Sequence, residues 1–340
     1  MNDLRFAIIG AGFWAGYQLA AWGEVPGARC VALCDKERGK AEKLAQEFGI
    51  TQVYDDADKL LREVKPNFVD IITDVNTHAP FVELCAKYKT PVICQKPMAP
   101  DLATAQRMVE VCKQASVPFF IHENFRWQAP IRELRKELNK GVISAPFRAR
   151  LQFNCSFPVF DNQPFLAELE QFILTDVGSH LLDVARFLFG EAQSLYCQTQ
   201  GINNIKGEDV ATVIMNMSDV TVTVELSYAS RLENESFPET FALIEGESGS
   251  IELSKNFQLK TTTKDGTQSR PVEPPNYKWA DPAYAVVHSS MVPCHKNLLR
   301  GLQGGYAETT GEDNLKTVRL VFAAYESVRR NQVIHFQQPV

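Results

Sequence analysis

The sequence predicts an α/β protein of two domains: a doubly wound parallel sheet over residues 1–123, then an α/β domain with a large, mostly antiparallel sheet over 124–340. Three observations predict it. Short apolar runs alternate with amphipathic stretches as far as residue 123. A glycine-containing turn, Gly10-Ala11-Gly12-Phe13-Trp14-Ala15, follows the first of those runs. Beyond about residue 190, extended stretches succeed one another without helices between them.

The elements follow in order. "LRFAIIG" (4–10), "ARCVALCD" (28–35), "FVDIIT" (68–73), "PVICQK" (91–96) and "PFFIHE" (118–123) read as strands buried on both faces, and "TQVYDD" adds a short one. Between them, "KERGKAEKLAQEFG", "ADKLLREV", "HAPFVELCAKY" and "DLATAQRMVEVCKQA" repeat apolar residues at helical spacing, as right-handed βαβ units require. After residue 124 come a helix over 130–139, a strand "FRARLQFNCSF" and a helix over 176–189 closed by Gly190. Six extended stretches then run from Ser194 to Thr263, with "GESGS" as a tight turn. Helices over about 284–301 and 312–330 finish the chain, and these C-terminal helices are candidates to pack back on the first domain.

At 340 residues the chain has enough material for two cores. Its 45% hydrophobic and 22% charged residues are those of a soluble globular protein. A net charge of -6 argues against nucleic-acid or membrane partners, which want a basic face. No apolar run nears the roughly 18 residues that span a bilayer. The start, Met1-Asn2-Asp3-Leu4-Arg5, leads into a strand without signal-peptide features. The eight cysteines include no Cys-x-x-Cys pair and sit mostly in apolar runs, so reduced buried thiols, a cytoplasmic location and no metal site are expected.

The glycine turn opens a helix directly after a strand. Gly10 permits the turn, Gly12 lets backbone approach a pyrophosphate, and Ala15 keeps the helix close. Asp35 ends the second strand, where an acid accepts from a ribose; these agreements point to a dinucleotide site. Asp35 would repel a 2′-phosphate and so favours NAD, while Lys36 and Arg38 leave NADP open. Phe13 and Trp14 stand beside the pyrophosphate position, although packing would also explain Trp14. Thr73, Asn76 and His78, with Gln95 and Lys96, lie at strand ends on the ligand edge of such a sheet. Lys96, before Pro97 at the end of a buried strand, is poorly placed as mere surface charge.

In "LTDVGSHLLDVARFLFGE", helical spacing sets Asp176, His180 and Asp183 on one face, opposite a core stripe of Val177, Leu181, Val184, Ala185 and Leu188. A carboxylate one turn from an imidazole suits acid–base chemistry, and a simple surface pair is the plainer alternative. The segment "HENFRWQAP" supplies Asn124 for the nicotinamide and Arg126 and Trp127 for a substrate, with Arg126 equally suited to a structural ion pair and His122 to the core.

Gly10-Ala11-Gly12, Lys96-Pro97, Asp176-x-x-x-His180-x-x-Asp183 and the closing "ETTGEDNLKTVRLVFAAYESVRRNQVI" together resemble the Gfo/Idh/MocA oxidoreductases, over essentially the whole chain. The resemblance implies a Rossmann domain and an open-faced α/β domain whose sheet is often buried in an oligomer, here a homodimer or homotetramer. It also implies NAD(P)-dependent oxidation of a sugar or polyol by a lysine, aspartate and histidine set: Lys96, Asp176 and His180, which also touch the substrate. Gln95 replaces the family's usual glutamate, and Asp74 its usual proline. "CQKP", "HENFRWQ" and "VVHSSMVPCHKNLL" are similar to the D-apiose dehydrogenase branch, which oxidises an anomeric carbon to a lactone. In this scheme His180 takes the hydroxyl proton, Lys96 stabilises the developing negative charge, and Asp176 orients His180 or anchors a neighbouring hydroxyl. A non-catalytic NAD(P)-binding sensor and an NAD-dependent glycosidase of the same fold are the alternatives.

Overall fold

Phe6, Ala7, Ile8 and Ile9 are each at most 1% exposed, which explains why the first apolar run forms an interior strand. In the computed structural model, which describes residues 3–336, that strand is β1 (Leu4–Ile9). It joins β2 (Ala28–Cys34), β3 (Gln52–Tyr54), β4 (Phe68–Ile71), β5 (Val92–Gln95) and β6 (Phe119–His122) in one parallel sheet of order β3-β2-β1-β4-β5-β6. The crossovers carry α1 (Phe13–Gly23), α2 (Arg38–Phe48), α3 (Ala57–Val64), α4 (Val75–Lys87) and α5 (Leu102–Ala115). Asp56, Asp74 and Asp101 cap the last three with side-chain oxygens that accept from Lys59, Asn76 and Thr104 N–H groups. Asp74 thus has a structural use where the family usually has proline. The strand order reverses between β1 and β4, the place where such sheets open a crevice at their carboxyl ends.

A polar cluster is buried against the same sheet. Trp22 Nε1 donates to Asp70 Oδ2 at 2.9 Å, and the His295 ring stacks on Trp22 with centroids 4.0 Å apart. His295 Nε2 lies 3.3 Å from Gln18 Oε1, and the His122 ring is 4.8 Å from that of His295. His122 is accordingly a core histidine. Burial holds the Asp70 carboxyl up at about 7.

Contacts divide the chain into two units that interleave along the sequence. One holds the chain through Asn124 together with Tyr277–Ala280 and Met291–Val318; the other holds Phe125–Asn276, Asp281–Ser290 and the chain from Arg319 on. In the first, Ile121 N–H donates to Thr309 O at 2.9 Å and Thr309 Oγ1 donates to Ile121 O at 2.7 Å, extending the edge at β6.

The second unit opens with α6 (Ala129–Asn139), β7 (Pro146–Asn154) and the short α7 (Val159–Asn162), followed by α8 (Ser179–Phe189). Its sheet adds β8 (Ala192–Gln200), β9 (Val210–Met217), β10 (Val220–Ser227), β11 (Phe241–Gly246), β12 (Gly249–Ser254), β13 (Gln258–Thr263), β14 (Gly266–Pro271) and β15 (Ile334–His335). The order is β14-β13-β12-β11-β7-β10-β9-β8-β15, and β7 with β10 is its parallel pair among antiparallel neighbours. Along β9, Ala211, Val213, Met215 and Met217 are buried while Ile214 is 46% exposed on the other face. Two strands, β14 and β15, exceed the sequence expectation. β14 is exposed along its whole length, so backbone pairing with β13 holds it and no apolar alternation announces it. The helices α9 (Ala285–Leu302) and α10 (Gly311–Arg330) complete the elements.

The helix expected over 176–189 is corrected at its start. Leu174–Gly178 forms a π turn, and α8 begins only at Ser179. Gly178 N–H reaches back five residues to Ile173 O at 2.8 Å. A Cβ at Gly178 would sit 3.0 Å from Ile173 O and 3.1 Å from Leu226 Cδ1, a tight fit against the π turn and β10. The core stripe of Val177, Leu181, Val184, Ala185 and Leu188 is buried as expected.

Candidate active site

The first unit offers a nucleotide crevice made largely of backbone. Gly10 sits at φ +105°, and a Cβ there would lie 2.2 Å from Ile72 O, so the turn demands glycine whatever binds. Gly12 differs. It is the N-cap of α1 at φ -81° without a side-chain cap, and a Cβ there would meet nothing within 4 Å. No contact of the chain itself requires glycine at 12; the open space ahead of an uncapped helix N-terminus with no acid in its first turn fits a pyrophosphate. Ala15 is fully buried under that turn.

Asp35 follows β2, its Oδ2 accepting from Ala11 N–H at 2.7 Å and its Oδ1 from Glu37 N–H at 2.8 Å. The carboxylate is therefore locked to the glycine turn, which fits a dinucleotide's pyrophosphate and ribose together. Phe13, Trp14 and Tyr17 form an aromatic cluster at the start of α1, with Phe13 edge-on to Trp14 at 5.1 Å and 40% exposed.

After β4, Thr77 Oγ1 donates to Thr73 Oγ1 at 2.8 Å, and Asn76 donates to Asp74 Oδ1 through both its backbone N–H and Nδ2. His78, expected at the cofactor, is surrounded by backbone carbonyls. Its ring is 1% exposed, with Nδ1 at 3.1 and 3.2 Å from the Pro97 and Met98 carbonyls and Nε2 at 3.1 Å from Thr73 O. The ring lies between the segments after β4 and β5, and its single N–H in the neutral form donates to the carbonyls on one side. Burial holds its pKa below the usual imidazole range. Gln95 Oε1 accepts from Lys96 N–H at 2.8 Å, and the Lys96–Pro97 peptide is cis. Asn124 is buried at the end of this unit's first segment.

The candidate residues of the second unit are side chains. His180 lies in the first turn of α8, 4% exposed, stacked flat on Phe125 with centroids 3.8 Å apart and planes 8° apart. Asp176 projects from the π turn, where its Oδ2 accepts from the Tyr228 hydroxyl at 3.2 Å. Asp183, the third polar residue of that helix face, meets Arg126. Their side chains form a buried, two-pronged ion pair, with Arg126 Nε 2.7 Å from Asp183 Oδ2 and Nη2 2.5 Å from Oδ1. The pair is the structural ion pair that was one of the two uses expected for Arg126, a buried guanidinium balancing a fully buried carboxylate. The Arg132 guanidinium lies 3.4 Å over the ring of Trp127.

Three residues escaped the sequence reading. Phe125 and Tyr228 look like ordinary core aromatics, and Glu208 like a loop acid. Glu208 Oε1 accepts from the N–H groups of Phe172 and Leu174 and from Tyr325 OH, which pins the entrance to the π turn. His288 accepts from Asp281 N–H on Nδ1 at 3.0 Å, and burial lowers its pKa to about 4, so its proton sits on Nε2.

Among the described residues no helix is long and apolar enough to cross a membrane. Residues 4–123 match the oxidoreductase family with an NAD-binding Rossmann fold, and residues 131–252 match the GFO/IDH/MocA C-terminal domain. The chain is 41% identical to a D-apiose dehydrogenase of Rhizobium rhizogenes, over 98% of both proteins. It is also 41% identical to one of Paraburkholderia graminis, covering 99% of this chain and 91% of that one. An oxidoreductase from Agrobacterium radiobacter, solved with NAD+, L-tartaric acid and magnesium, superposes at a TM-score of 0.96 with 40% identity over 98% of each chain. The parallel sheet with its glycine turn, the mixed nine-stranded sheet and the near full-length identity agree: the chain belongs to the Gfo/Idh/MocA family and is a dehydrogenase with an NAD-binding Rossmann domain.

Proposed function

We propose that the chain oxidises an aldose at its anomeric carbon to the lactone, with D-apiose as substrate and NAD as cofactor. The observation that carries the substrate is the 41% identity, over 98% of both proteins, to a D-apiose dehydrogenase. Gly12, the N-terminus of α1 and Asp35 would hold the dinucleotide. NAD is favoured over NADP because Asp35 would meet the ribose hydroxyls and repel a 2′-phosphate, while Arg38, one of the two nearby cations with Lys36, is paired with Glu42 at 2.8 Å. When bound, NAD supplies the hydride acceptor.

The protein's part is proton and charge handling. His180 takes the proton of the anomeric hydroxyl, Lys96 donates to the same oxygen and stabilises its developing charge, and Asp176 stabilises the imidazolium that His180 becomes. Flat stacking on Phe125 keeps the His180 ring in one plane. Thr73, Asn76, Gln95 and Asn124 would complete the cofactor contacts, with Phe13 and Trp14 over the pyrophosphate. A panel of D-apiose, other aldoses, ketoses and inositols, each with NAD or NADP, tests this by NADH absorbance. Sustained NADH formation is expected with D-apiose and NAD. A sensor or a glycosidase would yield no net NADH, and faster turnover with NADP would overturn the cofactor choice.

The chain works as a homodimer or homotetramer in this proposal, since the outer face of the second sheet carries Ile214 at 46% exposure. Light scattering should give a multiple of 38.2 kDa, and a monomeric mass would refute it. The cysteines described are free and mostly buried, which suits a reducing compartment such as the cytoplasm.

A further inference from the structure

Tyr228 follows β10, with its ring buried against Phe172 (centroids 5.5 Å, 19° between planes) and edge-on to Phe153 at 6.0 Å. Its backbone is pinned as well. Tyr228 N–H donates to Asp209 O at 2.9 Å, and Tyr228 O accepts from Asn203 Nδ2 at 3.3 Å. The Asp209 carboxylate in turn holds the N–H groups of Ile202 and Asn203, each at 2.8 Å. The phenol is therefore delivered to one place, 3.2 Å from Asp176 Oδ2.

Asp176 is held with equal care. Its N–H donates to Phe172 O at 2.8 Å, inside the π turn that Glu208 pins from its entrance and that Gly178 closes against Leu226. π turns of this kind recur at functional sites, where they redirect a side chain. Burial and the neighbouring carboxylate push the Tyr228 phenol well above its usual range, so it remains a donor.

We propose that Tyr228 is a positioning residue for the dehydrogenase reaction: its phenol fixes the plane of the Asp176 carboxylate, so that this charge faces the imidazolium formed at His180. The inference rests on the assignment of Asp176 to catalysis. An aromatic filler would explain the buried ring, but not a hydroxyl aimed at a carboxylate in a π turn.

Tyr228→Phe keeps the ring and removes only the donor. With D-apiose and NAD, the single-turnover rate of hydride transfer should fall about tenfold, part of the 10²–10⁴-fold that acid–base groups supply, with KM changed less than about twofold. NAD affinity and the melting transition should stay near the parent's, which verifies folding. The deciding measurement is the double variant with Asp176→Asn. If Tyr228 acts through Asp176, adding Tyr228→Phe to Asp176→Asn costs nothing further. A further tenfold loss in the double variant would overturn the inference, as would a slow Asp176→Asn beside a Tyr228→Phe at the parent rate. Parent turnover in Asp176→Asn would instead bring down the catalytic assignment, and the inference with it.

Discussion

The two units build their functional groups from different materials. The crevice of the first is mostly backbone: an uncapped helix N-terminus, a glycine turn, and carbonyls gathered by His78. The second sets side chains on aromatic supports, His180 on Phe125 and Asp176 under Tyr228. A backbone site needs particular dihedrals and empty space, which glycine announces in sequence. A side-chain site needs partners distant along the chain, 55 residues away for His180 and Phe125, and no spacing rule reports them.

The largest expected effect separates the two materials outright. Lys96→Met and His180→Asn should each lower turnover by about 10²–10⁴-fold while sparing NAD affinity, because each removes charge or proton handling. High pH should partly rescue His180→Asn. Gly12→Val should do the reverse and abolish NAD binding in a folded protein, because its side chain would enter space that the chain itself leaves open. Fluorescence titration with NAD beside turnover measurements reads both. A Gly12→Val enzyme that still binds NAD, or a catalytic variant within about threefold of the parent, would erase the contrast.

A smaller effect concerns the interior of the first unit, where a side chain rather than backbone sets the electrostatics. Asp70 holds its proton until about pH 7 when folded, whereas an unfolded aspartate releases it near about 3.9. Between those values the native state binds more protons, so stability should fall as pH rises, by on the order of a few kcal/mol in total. Asp70→Asn keeps an acceptor for Trp22 and removes that loss. Its melting temperature should exceed the parent's by more at pH 8 than at pH 5; parallel pH curves would show that Asp70 is not the titrating group.

Much of this was legible in the sequence, for identifiable reasons. Strands buried on both faces read as unbroken apolar runs, which mark five of the six in the parallel sheet; the short, part-exposed β3 is the sixth. Gly10 and Gly12 were both found, but only coordinates tell them apart: Ile72 O excludes a side chain at 10, while nothing excludes one at 12. The π turn was hidden because its bonds change the winding without changing the apolar stripe. Arg126 and His78 have the residue types of ligand contacts, and their burial against Asp183 and beside three carbonyls depends on partners that spacing does not report.

The interleaving of the units bears on the order in which the protein is made. A ribosome releases Leu4 to His122, all six strands of the nucleotide-binding sheet, long before it releases His295 and Thr309. Until then Trp22 lacks the ring that stacks on it, and β6 lacks the partner that bonds to Ile121. The segment synthesised first is thus among the last to be completed, and the nascent chain must hold an unfinished edge while the whole second sheet is still being added.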